Sequence, residues 1–268
     1  MFNETEKESG GFYFDLGDSR LVRKIVESIF AIEDEVVFTV NESGWEVLAM
    51  HPARSAMVDF FLPREVFDEF TLENENDGLS FGVNLRELLE VLKLAKREDS
   101  LRMQVVPGNG RLVLRLTSSS SRKEFHLPLV YLGGEVPKKL KIPFDFKVVF
   151  STDLYRDIAK TAGAGGERVV FEATESQLVV KSSTYTREVR LVIPKDSPKV
   201  FSFSVSVGGD YLPVTAAYST NFLKDFQKAT GVSDEVTFEF STKKPMRLTF
   251  PIPGGGHIAY ALAPRLEY

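Results

Sequence analysis

Thirty-three lysines and arginines, thirty-eight carboxylates and three histidines are the residues with which this 268-residue chain could do chemistry. For acid–base or metal work they are badly placed. His51, His126 and His257 stand in separate segments with no carboxylate at metal-ligand spacing. His257, in GGGHIAY, precedes a strand pattern and reads as structural. PGNG (107–110) and PGGG (253–256) read as turns before strands, without the Gly-x-x-x-x-Gly-Lys-Ser/Thr spacing of a phosphate loop. Carboxylates sit on helix surfaces or in ENEND (73–77), which reads as an exposed loop. With no cysteine, disulfides, thiolate zinc sites and Cys nucleophiles are excluded. An active site assembled from distant residues stays open, and nuclease or nucleotidase turnover would reveal it. The sequence offers it no support.

Binding phosphate is the chemistry that the cations can do. In NLRELLEVLKLAKREDSLRM (84–103), Leu85, Leu88, Leu89, Leu92 and Ala95 recur at helical spacing behind an Asn84 cap. Arg86, Lys93, Lys96 and Arg97 lie on the other face, with 86, 93 and 97 close together around the axis. Three more helical segments share the arrangement. DSRLVRKIVESIF (18–30) buries Leu21, Val22, Ile25, Val26 and Ile29 and carries Arg20, Arg23 and Lys24 outside. STDLYRDIAKTAG (151–163), stopped by the glycines at 163, 165 and 166, carries Arg156 and Lys160. STNFLKDFQKATG (219–231) carries Lys224 and Lys228 opposite an inward Phe222, Leu223, Phe226 and Ala229. Carboxylates such as Glu87, Glu90, Asp153, Asp157 and Asp225 are interspersed, so each face taken alone also reads as solvated helix with ion pairs. Four faces sharing one side would form a single phosphate-binding surface. Asn and Gln total only ten and no aromatic stacking row is evident, so such a surface would hold duplex DNA without reading it.

These helices must be positioned by strands. Segments such as EVVFTV, WEVLAM, RLVLRL, RVVFEA, QLVVKS, EVRLVI and MRLTF alternate with period two. The chain also repeats itself. DEVVFTVNES (34–43) lies beside ERVVFEATES (167–176), and at the same offset Leu21, Arg23 and Ile25 meet Leu154, Arg156 and Ile158. VLKLAKREDSLRM meets FQKATGVSDEVTF at an offset two residues longer. We read an internal duplication: each half an opening strand, a helix, three strands, a second helix and three strands. The fold class expected is α+β, with helices on one face of antiparallel sheets. LGGEVPKKLKIPFDF (132–146), with its glycines, prolines and basic cluster, reads as the extended connector.

Composition sets the frame. The chain is 43% hydrophobic and 26% charged, with a formal charge of −5, so it is globular and does not coat nucleic acid indiscriminately. No apolar run approaches a membrane span, and MFNETEKESG lacks a signal-peptide core, so a soluble, intracellular protein is expected. Scarce amides, absent cysteine and abundant charge hint at a hot-growing source.

The tail HIAYALAPRLEY resembles the C-terminus of the archaeal and eukaryotic sliding clamp family, PCNA. GVNLRELLEVLKLAKREDSLRM is similar to that family's second helix and following strand, and ESGWEVLAMHPARSAMVDFFLP to its first-domain hairpin. LPLVYLGGEVPKKLKIPF and YSTNFLKDFQKATGVSDEVTFEFSTKKPMRLTF extend the similarity over nearly the whole chain, from about Phe12. The resemblance implies the DNA clamp fold, with residues 1–11 as an N-terminal extension, 12–131 and 146–268 as clamp domains, and 132–145 as connector. It implies three subunits closed head to tail, helices lining a central hole and sheets outside. It implies a DNA replication and repair factor that encircles duplex DNA, has no cofactor, metal or catalytic residue, and works in the cytoplasm or nucleoid, or a nucleus. A clamp loader would open the ring, and polymerase, flap nuclease and ligase would bind it through short hydrophobic motifs. The matching partner pocket comprises Met50, Leu140, Ile142, Pro143, Pro245, Ala261, Ala263 and Pro264. His51 replaces a frequent Asp of the family, and Ala261 stands where the human-type clamp has Tyr. Subunit contacts would join 122–131 to 186–194 through Phe125, Leu127, Leu129, Val189 and Leu191. Homotrimer and heterotrimer both stay open, as does a checkpoint-type relative of the clamp.

Overall fold

The computed structural model describes residues 11–73, 78–105, 108–133, 137–207, 209 and 212–266. The N-terminal decapeptide, part of ENEND, Pro107 and part of the connector lie outside them. Two compact units emerge: residues 1–26, 34–47 and 61–135, and residues 27–33, 48–60 and 136–268. Among the described residues, no helix is long and apolar enough to cross a membrane.

The chain runs through β1 (Phe12–Leu16), α1 (Ser19–Phe30), β2 (Glu35–Asn41), β3 (Gly44–Met50), β4 (Ala56–Pro63), β5 (Glu69–Leu72) and β6 (Leu79–Asn84). Next come α2 (Leu85–Leu92), β7 (Ser100–Val105), β8 (Arg111–Thr117) and β9 (Arg122–Pro128). The order then begins again with β10 (Phe146–Ser151), α3 (Thr152–Ala164), β11 (Arg168–Ala173), β12 (Gln177–Ser183), β13 (Glu188–Pro194), β14 (Val200–Val205) and β15 (Val214–Ser219). It closes with α4 (Thr220–Asp225), β16 (Glu235–Phe240), β17 (Met246–Ile252) and β18 (Gly256–Leu262). Five strands separate the helices of each half, not the three expected. Of the additional strands, β5 is only four residues long, too short to show a period, whereas β14 (VFSFSV) does alternate although its Phe201 turns outward.

The two halves share pairing as well as order. β1 lies between β5 and β7, and β10 between β14 and β16. β2 pairs with β3 and β6, as β11 pairs with β12 and β15. Each of these ladders is antiparallel. β9 forms one edge of the five-stranded sheet β5–β1–β7–β8–β9, and β13 one edge of the sheet β13–β12–β11–β15. The counterparts of these edge strands, β18 and β4, are instead neighbours, and the Ala263 N–H donates to the Ser55 carbonyl at 2.8 Å just beyond their ends.

Aromatic packing fills each unit. In the first, Trp45 meets Phe38 edge-on at 5.0 Å and Phe14 at 5.5 Å. In the second, Phe226 stacks on Tyr260 at 4.2 Å, while the Tyr260 hydroxyl donates to the Ser28 carbonyl at 2.9 Å and thereby satisfies its buried polar end.

Gly44 opens β3 at φ +146°, where a Cβ would fall 2.1 Å from the Leu62 carbonyl oxygen. Neither the conformation nor the contact tolerates a side chain. Gly44→Ala should lower unfolding free energy by about 3 kcal/mol in urea titration, an expectation that fails if the midpoint barely moves.

Candidate nucleic-acid interface and partner groove

Asn84 caps α2 by accepting from the Glu87 N–H at 3.2 Å, and Ser151 caps α3 by accepting from Leu154 at 3.3 Å. Leu85, Leu88, Leu89 and Leu92 are buried, and so are Val22, Ile25, Val26 and Ile29 on α1. Leu21 is half-buried. The second helix stops earlier than its periodicity predicts. Leu94 and Ala95 close tighter turns onto Val91 and Leu92, and the Lys96 N–H donates to the buried Asp99 carboxylate at 2.9 Å. Lys96 and Arg97 therefore sit in the following turn, exposed, and Ala95 is half-buried outside the helix. The Lys96 N–H, then Lys123 at 3.4 Å, hold the Asp99 carboxyl below its ordinary range against the opposing effect of burial.

α3 continues through Gly163 to Ala164, so Gly163 does not end it. A Cβ there would meet the Lys224 Cε at 2.3 Å, and the glycine serves to admit the lysine stem of the neighbouring helix. The fourth helical segment divides into α4 and a 3-10 stretch, Phe226–Gly231. Phe222 is half-buried, not inward, and meets the His51 ring edge-on at 5.1 Å.

The cations divide by how they are held. Arg20 pairs with Asp18, Arg86 with Asp34 and Lys93 with Glu90, each at 2.8 Å and solvent-accessible. Solvent screens such pairs, so they hold their cations only weakly. Arg156 is fixed more firmly, to Asp153 at 2.5 Å and to the Thr230 hydroxyl and carbonyl at 3.0 and 3.2 Å. Arg23 and Lys24 are half-buried on α1. Lys160, Lys224 and Lys228 are exposed, and no carboxylate of the described residues lies within 4.0 Å of them.

A second feature is an open groove of about 480 Å³. Leu140 and Ala261 line it, together with residues that sequence reasoning missed: Met57, Asp59, Arg247 and His257. Met50, Ile142, Pro143, Pro245, Ala263 and Pro264 are not among its lining residues. Met50, Ile142, Pro245 and Pro264 are half-buried, whereas Pro143 and Ala263 are exposed. The extended segment 137–144 is pinned along this surface. Lys139 reaches Asp59 at 2.9 Å, the Arg247 guanidinium covers the Phe144 ring at 4.9 Å, and Ser241 accepts from the Asp145 N–H at 2.9 Å. Burial pushes the Asp59 carboxyl up, but its interactions with His257, 3.8 Å away, and with Lys139 outweigh it and hold the group below its ordinary range.

On the edge strands, Phe125, Leu127 and Leu129 are half-buried on or just after β9, as are Val189 and Leu191 on β13. Two exposed aromatics accompany them: Tyr131 follows β9 and Tyr185 occupies the turn between β12 and β13. Tyr131 ends the stretch 122–131 expected at subunit contacts, whereas Tyr185 lies just before 186–194 and carries no periodic signal of its own. Among the described residues, no group of three His, Asp or Glu could hold a metal ion.

Comparison with known proteins matches residues 12–133 to the N-terminal domain model of proliferating cell nuclear antigen and 211–265 to its C-terminal domain model. The chain is 33% identical over 251 residues to DNA polymerase sliding clamp 1 of Pyrobaculum aerophilum, covering 93% of this chain and 96% of that protein. It is 30% identical over 255 residues to the DNA polymerase sliding clamp of Thermofilum pendens, covering 95% and 99%. The crystal structure of PCNA from Thermococcus kodakaraensis superimposes with a TM-score of 0.86 at 25% identity, covering 95% of this chain and all of that one, 100%. The Entamoeba histolytica structure, at 19% identity, shares the fold with a TM-score of 0.84, over 96% of this chain and 100% of its own.

Asp225 offers a test of the electrostatics beside Lys224 and Lys228. Burial pushes its carboxyl above the ordinary range, although Lys228, His51 and Lys224 oppose the shift. The folded state therefore holds this proton more tightly than the unfolded state. The group's contribution to stability is present below its unfolded pKa and is lost as pH rises through the folded pKa. Asp225→Asn should raise the thermal midpoint near about pH 8 and leave it unchanged near about pH 3. The gain should stay below about 1 kcal/mol, since solvent screens the partly exposed carboxylate. A destabilised variant at the higher pH would show that the lysines dominate.

Proposed function

Because this chain belongs to the proliferating cell nuclear antigen family of DNA polymerase sliding clamps, we propose that it is one subunit of a closed ring that encircles duplex DNA. The role is non-catalytic: the ring holds a polymerase on its template inside the cell. Residues 12–131 and 146–268 act as the two clamp domains, joined by the connector 132–145. Three subunits meet head to tail, β9 of one against β13 of the next. The observation that carries this reading is the mismatch between duplicates, since β9 and β13 are edge strands while β18 and β4 are neighbours. A second chain completes for the first pair what the fold already does for the second, and closure removes the exposed edges.

Inside the ring, Arg20, Arg23, Lys24, Arg86, Lys93, Lys96, Arg97, Arg156, Lys160, Lys224 and Lys228 face the duplex. Their contacts go to phosphates, so the ring is retained by topology and slides because no base is read. Outside, the groove beside Leu140 and Ala261, with Met50, Ile142, Pro143, Pro245, Ala263 and Pro264 around it, receives short apolar motifs of polymerase, flap nuclease and ligase. A clamp loader opens the ring.

Two outcomes test the reading. Leu127→Glu and Leu191→Glu place charge on the half-buried faces of β9 and β13, and should reduce the assembly measured by light scattering to single subunits that keep their circular dichroism. Unchanged mass in both variants would remove these strands from the interface. Lys93→Ala with Lys228→Ala should weaken binding equally for all duplex sequences. The slope of log affinity against log salt should fall by up to about 0.9 for each phosphate no longer engaged. A changed sequence preference would point to base readout and against a clamp.

A further inference from the structure

The groove lined by Leu140 and Ala261 has an apolar wall and a positive rim. Three lysines bracket Leu140 along the connector: Lys138, Lys139 and Lys141. All three are exposed, and Leu140 itself is 46% exposed. Lys139 closes on Asp59. Lys138 and Lys141 have no carboxylate within 4.0 Å among the described residues. Across the groove, Glu239 is shared between Arg247 at 2.7 Å and Lys147 at 3.9 Å, so one carboxylate answers two cations.

Accessibility sharpens the asymmetry. The side chains of Asp59 and Glu239 are only 20% and 9% exposed, whereas those of Lys139, Lys147 and Arg247 are 50%, 52% and 39% exposed. An incoming segment meets ammonium and guanidinium groups, while the carboxylates that neutralise them lie beneath. Charges separated by less than about 10 Å interact through moderate salt, which covers a peptide lying along the rim.

We infer that this rim selects partner segments carrying aspartate or glutamate beside their apolar anchors. The inference rests on the groove being the partner site proposed above. The apolar anchor supplies the affinity, and the paired charges supply the choice among partners and a faster encounter. Lys138 and Lys141 set specificity, because no carboxylate of the described residues lies within 4.0 Å of them.

Two peptides with identical apolar and aromatic anchors, one flanked by glutamates and the other by lysines, separate these claims. Fluorescence anisotropy with the full chain at about 50 mM salt should show the acidic peptide binding about tenfold more tightly, with the advantage shrinking at about 300 mM. Lys138→Gln with Lys141→Gln should abolish the preference, and Lys138→Glu with Lys141→Glu should reverse it, at unchanged assembly mass and thermal midpoint. Leu140→Ser should weaken both peptides alike. Equal binding of the two peptides to the unaltered chain, or a preference unmoved by charge reversal, overturns the selectivity while leaving the groove as the partner site. Failure of either peptide to bind, or binding indifferent to Leu140→Ser, overturns both.

Discussion

The constraint on which this molecule turns is the satisfaction of backbone hydrogen bonds along sheet edges. A strand with one neighbour leaves a row of N–H and C=O groups unpaired, and the fold disposes of that row differently for two equivalent pairs of strands. β18 and β4 lie side by side and settle the matter within the chain, whereas β9 and β13 carry the same problem outward. Duplication makes the two situations comparable. The same ladder order recurs about half a chain later, so the pairing of β18 with β4 shows the geometry that β9 and β13 would take in the proposed ring. Half-buried Phe125, Leu127 and Leu191 add apolar surface along those edges. The surface and the hydrogen-bonding groups therefore ask for one solution.

Much of this architecture was legible in the sequence where a period and a cap coincide. Asn84 and Ser151 begin helices as their side chains require, and Leu85, Leu88, Leu89 and Leu92 turn inward at the spacing that announced them. The repeat was visible because β-branched strands such as EVVFTV and RVVFEA keep their register with the helices before them. Boundaries set by distant partners were not visible. α2 ends where Asp99 draws in the Lys96 N–H, an interaction no periodicity encodes. Gly163 looked like a helix stop because glycine usually is one; only the approach of Lys224 shows that it makes room. β14 carries a legible period in VFSFSV, but nothing in that pattern states that its Phe201 faces solvent.

The groove was the least readable feature. The connector residues Leu140 and Ile142 stood out as apolar residues in an extended, proline-flanked stretch, and Leu140 does line the cavity. Its companions Met57 and Asp59 come from β4, and Arg247 and His257 from the β17–β18 hairpin far along the chain. Their alternating patterns state which face they occupy but not which other strand shares it. The charge balance of the rim depends on which cations are paired and how deeply the carboxylates lie. Both are properties of contacts, and composition averages them away: a chain with a net charge of −5 presents a positive rim here.

The pinned connector also has a thermodynamic meaning. Segment 137–144 forms no regular structure, yet the Lys139–Asp59 pair, the stacking of Arg247 on Phe144 and the Ser241 hydrogen bond hold it at both ends. Its conformational entropy is lost during folding, at roughly 1–2 kcal/mol per fixed backbone residue. A ligand arriving beside Leu140 would not have to order that stretch again, so weak individual contacts can sum to useful affinity. Such a surface is preorganised without being rigidly built, and loosening a single tether should appear as slower, weaker association long before it appears as unfolding.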